Sequence, residues 1–276
     1  MTTAHRPVRM DFEPDYFIRA RAPRVYDGLL GGTDTFMCDR EAILDLYLSA
    51  PWAGFAARTN RHFTQISTGV ALRLGIGQFL DLGCGLPNRP HLHDFVPHGS
   101  RLVYVDRDPG VLAHAKFQLD PGKPWETTVV PADLLDMEDL LARKELAAAF
   151  DLERPIAVTV HDVLPWNEDD TAVADAMAVL RDWLPTGSTL SITHLTAHFN
   201  PSTMPQAVAA YARHGITVCP RSLGQVSAYF GNFAHLGTGP SALSQWSAHG
   251  PNVYHFTPYP ARASDCAAFA AIAVKT

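Results

Sequence analysis

From residue 77 onward, short runs rich in β-branched residues alternate with stretches of helical periodicity, and this alternation restricts the fold more than any other feature. The runs QFLDLG, RLVYVD, TTVVPAD, PIAVTVHD and STLSITHL read as strands. Between them, DPGVLAHAKFQL, LLDMEDLLARKELAAAF and EDDTAVADAMAVLRDWL carry apolar residues at helical spacing. Such alternation buries both faces of a mostly parallel sheet under helices. Right-handed crossovers then make the sheet doubly wound. Helices are also expected at TMPQAVAAYARHG and SLGQVSAYFGNF. The late segments SALSQWSA and CAAFAAIAV have no helical pattern between them and predict an antiparallel hairpin that ends the sheet. The expected class is α/β, with a mostly parallel seven-stranded sheet and a C-terminal antiparallel hairpin.

The first 75 residues read as helical instead. In DREAILDLYLSA, Asp39 stands where an N-cap is wanted. Phe63, Ile66, Val70 and Leu74 fall on one face of a helix that leads into the first strand. ARAPRVYDGLLGGTDTF reads as a helix stopped by Gly31 and Gly32. With 276 residues the chain is long enough for one substantial core. We expect a single domain over 1–276, made of an N-terminal helical cap (1–75) and a core (76–276).

Charge and cysteines narrow the partners. A formal net charge of −6 argues against nucleic acid, whose affinity comes from lysine and arginine displacing counterions. RHFTQ, ARKEL and PRSLG are isolated charges, not a basic track. The four cysteines (Cys38, Cys84, Cys219, Cys266) show no C-x-x-C spacing, and the pair His91 and His93 has no companion ligands, so no metal is expected. No apolar run approaches the ~20 residues needed to cross a bilayer, and the N-terminal stretch lacks a signal-peptide core. A cytoplasmic protein with a small-molecule partner, and neither a membrane nor a nucleic-acid partner, is the expectation; the oligomeric state is left open.

FLDLGCGLPN, residues 79–88, joins a buried strand to a glycine turn. Gly83 and Gly85 match the first two glycines of a dinucleotide fingerprint, but Asn88 takes the place of the third. Asp81 precedes the turn. A carboxylate there repels a pyrophosphate but accepts hydrogen bonds from an ammonium group or from the turn's amides. About twenty residues on, RLVYVD ends in Asp106, positioned to grip a ribose diol. Asp108 precedes Pro109 and reads as a helix cap, not a ligand contact. Asp133 closes the next strand, where a carboxylate can meet an adenine amino group or cap a helix.

Acids at three successive strand ends beside a Gly-x-Gly turn resemble the Rossmann-like S-adenosylmethionine methyltransferases. RVYDGLLGGTDTF followed by DREA, FLDLGCGLP and VYVDRDPGVLAHA is similar to an actinobacterial S-adenosyl methyltransferase family first catalogued as a domain of unknown function. The resemblance implies a class I methyltransferase fold and S-adenosylmethionine as cofactor. It implies contacts from Gly83, Cys84, Gly85, Asp106, Arg107, Asp133 and Leu134. It also makes YDGLLGG, through Gly31, a cover over the methionine end. Where the family pattern leads to LHF, this chain has VTVHDVLPWNEDD, with His161 and Asp162 ending the fourth strand.

Methyl transfer from a sulfonium is an in-line displacement, so positioning does much of the work and a base is optional. If the acceptor must lose a proton, His161, His194 and His198 follow the relevant strands, with His194 the first candidate. Trp246, Tyr254, Phe256 and Tyr259 are candidates to line an apolar acceptor pocket. Two other readings stay open: a non-catalytic S-adenosylmethionine-binding protein, and an NAD(P)-dependent oxidoreductase that shares Gly83, Gly85 and Asp106.

Overall fold

The computed structural model describes residues 12–118, 126–247 and 262–276. Three helices come first: α1 (Ala22–Leu29), α2 (Met37–Ser49) and α3 (Ala53–Arg73). The alternating region follows as β1 (Gln78–Leu82), β2 (Arg101–Asp106), α4 (Pro109–Gln118), β3 (Glu126–Pro131), α5 (Met137–Leu141), α6 (Lys144–Ala149), β4 (Ala157–His161), α7 (Asp170–Trp183) and β5 (Thr189–Leu195). Then come α8 (Met204–Arg213), α9 (Leu223–Ala228), β6 (Ala234–His235), β7 (Ser241–Ala242), α10 (Leu243–Ser247), α11 (Ala263–Cys266) and β8 (Ala268–Val274).

The sheet runs β3-β2-β1-β4-β5-β8-β6, with β7 also paired to β8. The first five strands are parallel. β8 runs antiparallel to β5 from Thr189↔Val274 to Leu195↔Ala268. This is the expected class I methyltransferase architecture. Strand alternation places Leu80, Leu82, Val103, Val105, Val158 and Ile192 in a core with α7, while Phe79, Leu102 and Tyr104 join Val111 and Ala115 of α4 on the opposite face.

The sheet's end departs in detail from the expected hairpin. β6 and β7 both pair with β8, at opposite ends of its length, and together make one edge strand interrupted at residues 236–240. Gly237 and Gly239, at φ 108° and 90°, permit that interruption. Eight strands are therefore described in seven sheet positions. SALSQWSA keeps only Ser241 and Ala242 as strand before turning into α10. There the Trp246 indole Nε1 donates to the Ala270 carbonyl at 3.1 Å, holding the helix against β8.

The N-terminal helices form as expected, but two assignments within them change. Asp39 is not the N-cap of α2. It lies in the first turn, fully buried, and accepts from the backbone N–H groups of Phe36 (2.8 Å) and Arg21 (3.0 Å) and from Arg24 Nε (2.7 Å). Leu74 leaves the buried face, because α3 ends at Arg73; it is half exposed. Phe63 and Ile66 pack against β8 as the pattern indicated.

Candidate functional site

The chain leaves β1 toward β2 and β3 on one side, and returns to β4 and β5 on the other. That reversal opens a crevice at the carboxyl ends of the strands. A cavity of about 860 Å³ occupies it. Its floor comes from Asp81, Gly83, Cys84 and Gly85 after β1, Asp106 and Arg107 after β2, Asp133 and Leu134 after β3, and His161 and Asp162 after β4. β1 is buried throughout and β2 from Leu102 onward, so Asp81 and Asp106 near their carboxyl ends are fixed by the sheet.

The glycine turn is shaped for close approach. Gly83 has φ 70°, and a Cβ there would meet the Val163 side chain at 2.1 Å. Gly85 has φ 65° and open space where a Cβ would stand. Asp106 braces this turn: Oδ2 accepts from Gly85 N at 3.0 Å and Oδ1 from Asp108 N at 2.9 Å. It is buried, and burial raises its carboxyl to about 6. Asp81 accepts from Thr159 Oγ1 at 2.7 Å, not from the turn's amides, and burial likewise raises it to about 6. Burial also pushes the Cys84 thiol up. Asp133 is more open; it pairs with Arg107 at 2.7 Å and accepts from Leu135 N at 3.0 Å. It caps no helix, since Asp136 precedes α5. Asp108 caps α4 as expected, through Gly110 N (2.8 Å) and Val111 N (3.2 Å).

The N-terminal segment supplies part of the cavity lining, through residues other than Gly31. Tyr16, Arg21 and Tyr26 line the cavity, and the Tyr16 hydroxyl donates to Asp108 Oδ1 at 2.5 Å from across it. Gly31 is absent from the lining and serves as a left-handed chain reversal after α1. Its neighbour Gly32 is the close-approach position, since a Cβ there would strike the Asp27 carboxylate at 2.1 Å. Asp27 in turn accepts from Asn88 Nδ2 at 3.1 Å. The residue that breaks the dinucleotide fingerprint thus ties the glycine turn to the cap.

The histidines separate by burial. His161 lines the cavity. Ser191 Oγ donates to the Val158 carbonyl, which assigns the proton to His161 Nε2, donating to Ser191 Oγ at 2.9 Å. Nδ1 then accepts from the Thr64 hydroxyl at 3.0 Å. Burial lowers His161 to about 3, so the ring is neutral at physiological pH. His194 is overturned as a base: it is fully buried away from the cavity, with Nδ1 donating to the Leu195 carbonyl at 2.8 Å and Nε2 3.2 Å from Arg221. His198 is exposed against Phe199 and Phe269. His91 and His93 both bond Tyr104, and His91 also reaches the Cys84 carbonyl at 3.1 Å. Trp246 packs on Phe63, outside the cavity lining. Tyr254, Phe256 and Tyr259 lie outside the described residues.

Sequence reading missed the contribution of α3. Asn60, Arg61 and Thr64 line the cavity from one face of that helix, and the Arg61 charge acts on Asp81, Cys84 and His161. The available signal was weak, since α3 also carries Arg58, Thr59, His62, Gln65, Ser67 and Thr68 and nothing local sets these three apart.

A family described as S-adenosyl methyltransferase matches residues 15–276. Among solved structures, a DUF574 family protein from Streptomyces avermitilis is 30% identical, covers 97% of this chain and 100% of its own, and superposes with a TM-score of 0.84. A candidate methyltransferase from Thermobifida fusca is 28% identical over 94% of this chain and 96% of its own, with a TM-score of 0.80. No curated protein matches the chain.

Proposed function

The chain belongs to the S-adenosyl methyltransferase family, and on that premise we propose that the cavity binds S-adenosylmethionine along the ends of β1, β2 and β3 and receives a small-molecule acceptor in the space that remains. The family is S-adenosylmethionine-dependent. One observation carries the assignment: the carboxylates of Asp81, Asp106 and Asp133 and the Gly83–Gly85 turn line one cavity.

The residues present fit this ligand. Gly85 leaves open space against the cavity. Asp106 has spare lone pairs beyond its two amide bonds, suited to ribose hydroxyls. Asp81 offers a second oxygen to the ammonium of the methionine end, and Arg61 suits its carboxylate. Asp133 and Leu134 take the adenine edge and face, with Arg107 held beside them by its ion pair. When bound, the cofactor supplies an electrophilic methyl group. The protein's part is to hold the acceptor in line and exclude water. Tyr16, Arg21 and Tyr26 close the cavity above, and His161 orients Thr64 at its wall.

A net charge of −6 supports a small acceptor over nucleic acid. No helix among the described residues is long and apolar enough to cross a membrane. Four free cysteines, two of them buried, suit the reducing cytoplasm. Isothermal calorimetry with S-adenosylhomocysteine and NAD in parallel tests the cofactor assignment. S-adenosylhomocysteine is expected to bind, and Asp133→Ala to weaken it several-fold. Binding of NAD alone defeats the reading.

A further inference from the structure

Beside the main cavity lies a recess of about 30 Å³, and Asp162 lines both. The backbone sets it there: Asp162 follows β4 with φ 54°, a left-handed conformation that Asp and Asn enter more readily than other side chains with a Cβ. The Leu195 backbone N–H bonds the carboxylate. Oδ1, however, is buried with no hydrogen-bond partner among the described residues. A buried acceptor without a donor is costly, and in a native fold it asks for a ligand or a role.

The walls restrict what that ligand is. Among the described residues Asp162 is the one charged side chain lining the recess; Trp52, Tyr26 and Tyr211 supply aromatic faces, and Leu46 and Met204 aliphatic ones. An anion has nothing to pair with there. An organic ammonium finds a carboxylate and π faces together. The volume admits roughly two water-sized groups, enough for an amino group and the carbon that bears it.

We propose that Asp162 receives the amino group of the methyl acceptor, which is an amine, and removes its proton. This rests on the methyltransferase reading above. The ammonium N–H bond breaks and its proton goes to the Asp162 carboxylate. The freed nitrogen lone pair forms the new bond to the methyl carbon. The carbon–sulfur bond breaks with its electron pair left on sulfur, and the sulfonium's positive charge passes to the methylated nitrogen. Burial raises the Asp162 carboxyl to about 8, so its ionised form holds an amine's proton well, and methyl transfer should rise with pH toward that value as the carboxylate forms. Among the described residues the titratable groups lining the recess with it are the hydroxyls of Tyr26 on α1 and Tyr211 on α8, both raised by burial and neutral in this range, while Arg61, Asp81 and His161 line the main cavity it also borders.

Asp162→Asn is isosteric and tolerates the same backbone conformation, so the fold should survive. The test supplies methyl-¹³C-labelled S-adenosylmethionine and a small-molecule cell extract, and reads product methyl groups by carbon–proton correlation NMR. N-methyl signals are expected with the native protein and a loss of at least a hundredfold with Asp162→Asn, whose S-adenosylhomocysteine affinity stays within about twofold. A readout independent of turnover is thermal melting: the unfolded chain gives up the Asp162 proton above about pH 4 and the folded protein only near 8, so the variant's melting temperature should gain steadily on the native protein's as pH rises from 4 to 8. O-, S- or C-methyl products, N-methylation that survives the substitution, or a melting difference that stays constant over that range would overturn the proposal. Lost S-adenosylhomocysteine affinity would move Asp162 to the cofactor and also overturn it. A native protein that binds S-adenosylhomocysteine but methylates nothing fails the methyltransferase reading, and this one with it.

Discussion

Asp106 shows how one side chain can serve the fold and the ligand together. Sequence position marked it as a ribose contact, and burial gives it a second task in holding the backbone around the site. Its two oxygens hold Gly85 N and Asp108 N, so Asp106→Ala leaves two amides unpaired, one in the glycine turn and one just before α4. The loss should be about 2 kcal/mol of stability, from the penalty for unsatisfied buried donors, together with weakened S-adenosylhomocysteine affinity. Differential scanning calorimetry and ligand titration on one variant measure both. A variant that loses affinity but melts normally would show that the turn holds without Asp106. Asp108→Ala is the contrast, since it removes a cap worth about 1 kcal/mol and the bond from Tyr16, but no part of the turn.

At the scale of elements, the strands and helices of the core were legible because each repeats a simple period over enough residues. Parallel strands packed between helices leave little freedom in register. The cap was legible as helices, and the resemblance made it a cover, but which of its residues line the cavity was not legible, because those contacts are made at sequence separations no local pattern encodes. Val25, Leu29 and Leu46 share a core with Met204, Ala207 and Tyr211 of α8. A chain beginning near residue 54 would therefore expose that core as well as open the site. Asp39 organises the cap from inside it, bonding the starts of α1 and α2 and the buried Arg24 guanidinium. Replacing it with alanine strands Arg24, and breaking a buried pair on one side costs about 3 kcal/mol or more. Chemical denaturation should show that loss for Asp39→Ala, while Asp45→Ala, whose ion pair with Arg213 lies on the surface, should move the midpoint little.

Across the whole molecule, buried titratable groups oppose one another, a balance that composition cannot reveal because it depends on burial. Burial raises Asp81 and Asp106 to about 6 and lowers His161 and His194 to about 3. A raised carboxyl binds protons in the folded state that the unfolded chain has already lost, so each acid makes stability fall as pH rises from about 4 to its folded value. The histidines do the reverse, since the unfolded chain binds protons below about 6.5 that the folded protein refuses, and stability falls as pH drops. The two sets oppose each other between about pH 4 and 6, while Asp162, raised to about 8, goes on drawing stability down above that, which predicts an apo melting temperature flatter between pH 4 and 6 than between 6 and 8. Cofactor binding breaks that symmetry. An ammonium beside Asp81 requires the ionised carboxylate, so below about pH 6 binding must first expel a proton, and affinity for S-adenosylhomocysteine should fall by up to about tenfold per pH unit. In Asp81→Asn the affinity should be weak at every pH and lose the Asp81 step. Calorimetric titrations from pH 5 to 7.5 decide the matter, and a native affinity that is flat over that range would place the ammonium away from Asp81.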